Sequence, residues 1–299
     1  MGANLNQRLF SAADSLRSKM DASEYKNYLL GFIFYKYLSD KLLQKVVELA
    51  DESLEKYDTQ EKQTTLYKDL FADDDTRDDL KNTLVDTLSY DIEPAYLFNV
   101  LVEQAKQNLF QLTDLNKAFI YLSTSYSQFS GLFDDVDLQS KKLGTDDQQR
   151  NVTITEVLKK LNDIDVLGHD GDVIGDAYEY LIGQFASDAG KKAGEFYTPH
   201  MVSDMMARIV AIGQEDTHIF NVYDPTMGSG SLMLNVRNHV NYPDKVKYHG
   251  QELNTTTFNL AKMNLILHGV DNEAMNLRNG DTLNKDWPTD EPYTFDSVV

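Results

Sequence analysis

Cysteine is absent from the 299 residues, which excludes disulfides, zinc–thiolate sites, iron–sulfur clusters and cysteine nucleophiles. Long apolar runs are missing too, and no stretch approaches the roughly 18–20 residues of a membrane span. Residues 1–25 lack the basic start and apolar core of a secretion signal, which points to the cytoplasm. Positive charge is scarce: 28 Lys and Arg stand against 48 Asp and Glu, a net charge of −20. Phosphate contacts need clustered basic side chains, so such a chain is a poor nonspecific binder of nucleic acid. Work on DNA would require a local positive surface or one supplied by a partner. The histidines (His169, His200, His218, His239, His249, His268) form no HxxxH pair, and neither Ser229 nor Ser231 stands in a GxSxG elbow. Metal and serine-triad chemistry therefore find no support, and the histidines read as structural or surface residues, with His200 the one nearest a ligand.

What is present suits a globular chain of about two domains. Residues 1–165 read as an α-helical domain with a partner or assembly role. Asp21-Ala22-Ser23-Glu24 resembles a capping box, with Asp21 as cap and Glu24 reaching back. Beyond it Leu30, Phe34, Leu38 and Leu42 recur every fourth residue, which predicts a long helix with Lys36, Asp40, Lys41 and Lys45 facing water. Its aromatics, Phe32, Phe34, Tyr35 and Tyr37, read as packing rather than base-stacking residues. The acidic clusters Asp73 to Asp75, Asp78-Asp79 and Asp134-Asp135 read as solvated loops between helices, since they lack the spacing of a calcium loop. A further helix is expected within 151–168, with Val157, Leu158 and Leu161 as its apolar side.

Residues 166–299 read differently. A helix is expected from about Asp172 to Asp188, followed by a mobile loop at 190–194. Thr198-Pro199 has the form of an N-cap with proline at the first helical position. Then strand and helix alternate: strand 218–223, helix 231–239, strand 246–251, a helix capped by Asn254 or Thr255 and ending at Gly269, strand 275–278. This alternation predicts a doubly wound, Rossmann-like parallel α/β sheet. Residues 293–299 read as a fourth strand, and because such sheets have more strands the domain is expected to be incomplete at its C-terminus.

Asp224-Pro225-Thr226-Met227-Gly228-Ser229-Gly230 falls between the first strand and the next helix, where glycines permit close backbone approach to a ligand and the helix start offers free N–H groups. A dinucleotide enzyme would carry a third glycine at position 233, and Met233 stands there instead. Glu252 follows the second strand, 24 residues after Gly228. A carboxylate there either caps a helix or accepts hydrogen bonds from the ribose hydroxyls of an adenosine ligand, and the Gly-rich turn before it favours the ligand. Asp281 follows the third strand at the same sheet edge, as a turn residue or as an acceptor for an adenine amino group.

These residues resemble a known family. DPTMGSG is similar to the DPxxGSG element of N6-adenine DNA methyltransferases, and Glu195-Phe196-Tyr197-Thr198-Pro199 to their F-Y-T-P element. ADSLRSKMDASEYKNYLLGFIFYKYLSDKL and GDAYEYLIGQFASDAGKKAGEFYTP resemble the modification (HsdM) subunit of type I restriction–modification systems. The resemblance runs over essentially the whole chain. It implies an α-helical N-terminal domain followed by an AdoMet-dependent methyltransferase domain, with S-adenosyl-L-methionine (AdoMet) as cofactor and adenine N6 in duplex DNA as methyl acceptor. Glu195, Phe196, Tyr197, Thr198, Pro199 and His200 would contact AdoMet, with Phe196 and Thr198 foremost. Asp224, Gly228, Ser229, Gly230 and Ser231 would hold its methionyl and ribose parts, Glu252 its ribose hydroxyls and Asp281 its adenine. The family's catalytic N-P-P-[YF] motif is expected just after Val299, so no catalytic residue is expected within these residues, which alone should be inactive. The implied partners are a specificity subunit that reads the DNA sequence, a second modification subunit, a restriction subunit, and duplex DNA with a flipped adenine. Two alternatives stand beside this reading: a stand-alone adenine methyltransferase, and a nonenzymatic AdoMet-binding or assembly module.

Overall fold

The computed structural model describes residues 2–167, 173–188, 197–284 and 294–299. It divides into two units, Met1–Gly171 and Asp172–Val299. The expected loop at 190–194 lies outside the described residues, as do Glu195 and Phe196.

The first unit is helical: α1 (Gly2–Ala12), α2 (Asp14–Arg17), α3 (Ala22–Leu49), α4 (Gln60–Ala72), α5 (Asp74–Leu88), α6 (Phe98–Lys106), α7 (Leu112–Ser125) and α8 (Asp147–Asn162). Between α7 and α8 the chain runs through a short 3-10 turn, Ser127–Phe129, and irregular turns that hold Asp134 and Asp135. The 28 residues of α3 pass through the middle, packed on α4, α5, α6 and α8. Aromatic rings fill the space around it. Phe119 stacks on Phe133 at 4.3 Å between ring centres, and Tyr35 meets Phe119 edge-on at 5.2 Å.

Neighbours around the middle of α3 overturn half of the expected solvent face, while Lys41 and Lys45 remain partly exposed. Residues 28–40 are all buried, including Lys36 and Asp40. Lys36 Nζ donates to Asp40 Oδ2 at 2.6 Å, with the two side chains 1% and 5% exposed. Along that enclosed stretch the helix has no wet stripe, and the i,i+4 spacing then turns two charges towards each other. Burial raises the Asp40 carboxyl above its ordinary pKa, with the Lys36 charge opposing the shift. The capping box is only half formed: Asp21, the N-cap, makes no side-chain cap bond, while Glu24 pairs with Lys142 and also accepts from the Asp21 backbone. Nor is the acidic run a loop between helices. Asp73 accepts the Asp75 N–H at 3.0 Å as the N-cap of α5, and Asp74 and Asp75 form its first turn, where carboxylates meet the positive end of the helix.

The second unit comprises α9 (Val173–Asp188), α10 (His200–Ala211), β1 (Phe220–Asp224), α11 (Ser231–Asn235), β2 (Val246–Glu252), α12 (Thr255–Leu267), β3 (Met275–Asn279) and β4 (Ser297–Val298). All pairings are parallel, in the order β3-β2-β1-β4. Phe220 stands beside Val246, and Val222 beside Ser297. The order reverses at β1: β2 and then β3 lie on one side of it and β4 on the other; in such sheets ligands sit outside the carboxyl ends of the strands at that reversal. Phe220, Val222, Val246, Tyr248, Met233 and Leu265 make the core beneath it. Two local expectations shift. The α10 cap is Pro199, not Thr198: with φ −53° and ψ 134° its carbonyl accepts the N–H groups of Val202 and Ser203 at 2.9 and 3.0 Å. The helix after the Gly-rich turn ends at Asn235 and continues as a 3-10 helix, Val236–His239.

Candidate ligand site at the carboxyl edge of the sheet

Asp224 ends β1 buried, 4% exposed. Its Oδ1 accepts the Thr226 N–H at 2.9 Å, which starts the turn. Burial pushes its carboxyl up to about 6; the Thr226 hydrogen bond opposes this and the Glu252 charge adds to it. The loop then reaches across to β2, where the Met227 N–H donates to the Gln251 carbonyl at 2.9 Å and the Gly228 N–H to Glu252 Oε2 at 3.1 Å. Gly228 and Gly230 take φ of +53° and +77°, which glycine adopts without strain. At Gly230 a Cβ would also stand 2.7 Å from Leu265 Cδ1. Met233, at the position a dinucleotide site gives to glycine, is fully buried in the core under the loop.

Glu252 closes the other side. Its Oε1 accepts the Asn254 N–H at 2.8 Å, and its carbonyl accepts from Gly280 and Asn279. Each carboxylate oxygen has taken one N–H, and a carboxylate has about four acceptor positions. Asp281 is a turn residue: Oδ1 accepts the Leu283 N–H at 3.0 Å and Oδ2 the Asn284 amide at 2.6 Å. It also borders the cavity.

That cavity measures about 790 Å³ and lies wholly within the second unit. The structure brings Tyr197, Thr198, Asp224, Gly228, Ser229, Ser231, Glu252 and Asp281 to its wall. Pro199, Gly230 and His200 are not among its lining residues. Pro199 starts α10, Gly230 shapes the loop from behind, and the His200 side chain is 63% exposed.

Sequence reasoning missed the residues that hold the loop. Asn264, fully buried on α12, donates to the Ser229 carbonyl at 3.0 Å. Thr282 donates to the Pro225 carbonyl at 2.6 Å. Asn235 donates to Ser203 Oγ at 2.7 Å, and Ser203 donates in turn to the Ser231 carbonyl at 3.3 Å. The available signal was polar residues within apolar stretches, as with Asn264 between Met263 and Leu265. The apolar walls, Met206, Leu232, Leu253, Leu283 and Val299, gave no signal.

Comparison with known proteins agrees with both halves. Residues 5–161 match the family described as HsdM N-terminal domain, and residues 169–299 match N-6 DNA Methylase. The MpnII type I restriction enzyme methylase subunit of Mycoplasma pneumoniae is 34% identical, over 95% of this chain and 53% of its own length. The MjaVII methylase subunit of Methanocaldococcus jannaschii is 29% identical, over 98% of this chain and 46% of its own. A type I restriction–modification methyltransferase subunit from Streptococcus thermophilus superposes with a TM-score of 0.94 at 50% identity, covering all of this chain and 62% of that one. A modification subunit of a putative type I restriction enzyme from Vibrio vulnificus, 15% identical with a TM-score of 0.54, shares the fold. This chain thus spans about half the length of the curated relatives it matches. With a helical unit, an α/β unit and a Gly-rich loop at the strand reversal all in place, the chain belongs to the HsdM family, the modification subunits of type I restriction–modification systems.

Proposed function

We propose that the cavity at the β1 edge binds AdoMet, and that the subunit transfers its methyl group to adenine N6 in duplex DNA at a site chosen by a specificity subunit. The observation that carries this reading is the single cavity wall formed by Thr198, the Asp224 to Ser231 loop and Glu252. The donor set fits an adenosine ligand. Glu252 keeps acceptor positions for two hydroxyls, while the exposed Leu253 and Leu283 offer apolar surface to a flat ring. The Asp281 backbone and side chain lie at the same end.

AdoMet when bound supplies an electrophilic methyl on its sulfonium. The protein's part is placement. The glycine loop lets backbone approach the ligand, Glu252 fixes the ribose, and Tyr197 and Thr198 line the same cavity. The net charge of −20 suits a subunit that leaves sequence reading, and much of the phosphate contact, to a partner. The helical unit is the proposed docking element for that specificity subunit and for a second modification subunit, with a restriction subunit completing the assembly.

Glu252→Ala tests the site. Charge-assisted hydrogen bonds contribute roughly 1.5–3 kcal/mol each, so titration calorimetry should show AdoMet affinity falling at least about tenfold in a folded variant. Wild-type affinity in the variant would remove Glu252 from the site.

A further inference from the structure

Glu179, on α9, is buried, 9% exposed, and has no part in the site as described so far. It hydrogen-bonds the Ser231 hydroxyl, and its Oε1 has no hydrogen-bond partner among the described residues. His200 Nδ1 stands 4.0 Å from that oxygen. The Ser231 hydroxyl lies 3.0 Å from that of Ser229, and both serines border the cavity. An ionised carboxylate only accepts, so Ser231 donates to Glu179 and its oxygen then accepts from Ser229. The chain of hydroxyls acquires a direction. Its last oxygen, on Ser229, is left with lone pairs and no hydrogen to give.

We propose that Glu179 is a positioning residue whose charge orients the Ser229–Ser231 relay, so that this wall of the cavity accepts a hydrogen bond from a ligand ammonium. This rests on the AdoMet reading and deepens it: the group recognised is the amino end of the methionyl part, not the nucleoside. A neutral Glu179 would lose the direction, because a protonated carboxyl can itself donate to Ser231. Burial already raises its pKa. The groups around it are Asp176 on its own helix, Tyr197 and His200 at the head of α10, Ser231 on α11, and His268 after α12. The two histidines, when charged, favour the ionised form, and Asp176 opposes it.

The test compares S-adenosylhomocysteine with its deamino analogue by calorimetry on the full chain. At neutral pH the wild type should prefer the amine-bearing compound by about tenfold, and acidification should erode the preference. Glu179→Gln keeps the shape without the charge. It should cut the preference to about threefold or less and flatten its pH dependence, which a merely structural role would not do. Ser231→Ala removes one link and should do the same, and it carries the comparison if the Gln variant does not fold. Full preference retained in either folded variant overturns the relay and leaves the AdoMet site standing. A wild-type chain that binds neither compound overturns both.

Discussion

The two units tie up their key polar side chains differently. The buried charges of the helical unit pair with other side chains: Lys36 with Asp40, and the fully buried Asp91 with the hydroxyls of Tyr121 and Tyr126 and with Lys81 at 3.5 Å. Around the glycine loop of the α/β unit the polar side chains hold backbone: Asn264 takes the Ser229 carbonyl, Asp224 the Thr226 N–H and Glu252 the Gly228 N–H. The difference has a physical consequence. A side-chain pair can be exchanged whole for an apolar pair, whereas a backbone group remains polar whatever the sequence, so its partner has no apolar substitute.

The largest effect should come from breaking a pair on one side. Lys36→Met leaves Asp40 buried beside no cation, and we expect a loss of about 3–5 kcal/mol in urea unfolding. Adding Asp40→Leu should restore stability to wild type or above. A double variant as weak as the single one would show that the pair is not exchangeable. Next in size is the pH dependence of Asp224. Its folded pKa, about 6, lies above the ordinary carboxylate value, so the folded protein holds the extra proton. Its contribution is fully present below about pH 4 and is lost as pH rises through 6, amounting to about 3 kcal/mol at most. Unfolding followed across that window should show this slope, and Asp224→Asn should remove it. The smallest change in stability should be Asn264→Leu, which orphans the Ser229 carbonyl at a cost of about 1–3 kcal/mol. No second apolar substitution should rescue it. Its larger mark is on binding, where a displaced loop should weaken AdoMet by about tenfold in calorimetry. Rescue by an apolar neighbour would erase the contrast between the units.

Local patterns exposed the α/β unit well. Alternating elements placed β1, β2, α12 and β3 to within about two residues, and the glycine turn and Glu252 fall on the cavity wall because both are fixed by the ends of adjacent strands. The helical unit was legible as helices but not as an interior. Periodicity assigns a wet face to any helix, and nothing local says that the middle of α3 has neighbours on every side. The supports of the loop were hidden for another reason: Asn264 and Ser229 are 35 residues apart, and only the folded sheet brings them together. Thr198 was misjudged as a cap because its neighbour Pro199 accepts the helix's first N–H groups with its own carbonyl.

The strand order also bears on how the chain acquires its shape over time. β1, β2 and β3 all lie within residues 220–279, joined by short crossovers, whereas β4 begins only at residue 297 and meets β1 from its other side. Nearby partners meet sooner than distant ones, since closing a longer stretch of chain costs more entropy. The bonds from Met227 and Gly228 to Gln251 and Glu252 need only β1 and β2. The glycine loop should therefore be protected early and β4 late, and pulse-labelled hydrogen exchange during refolding should find the Met227 amide shielded before that of Val299.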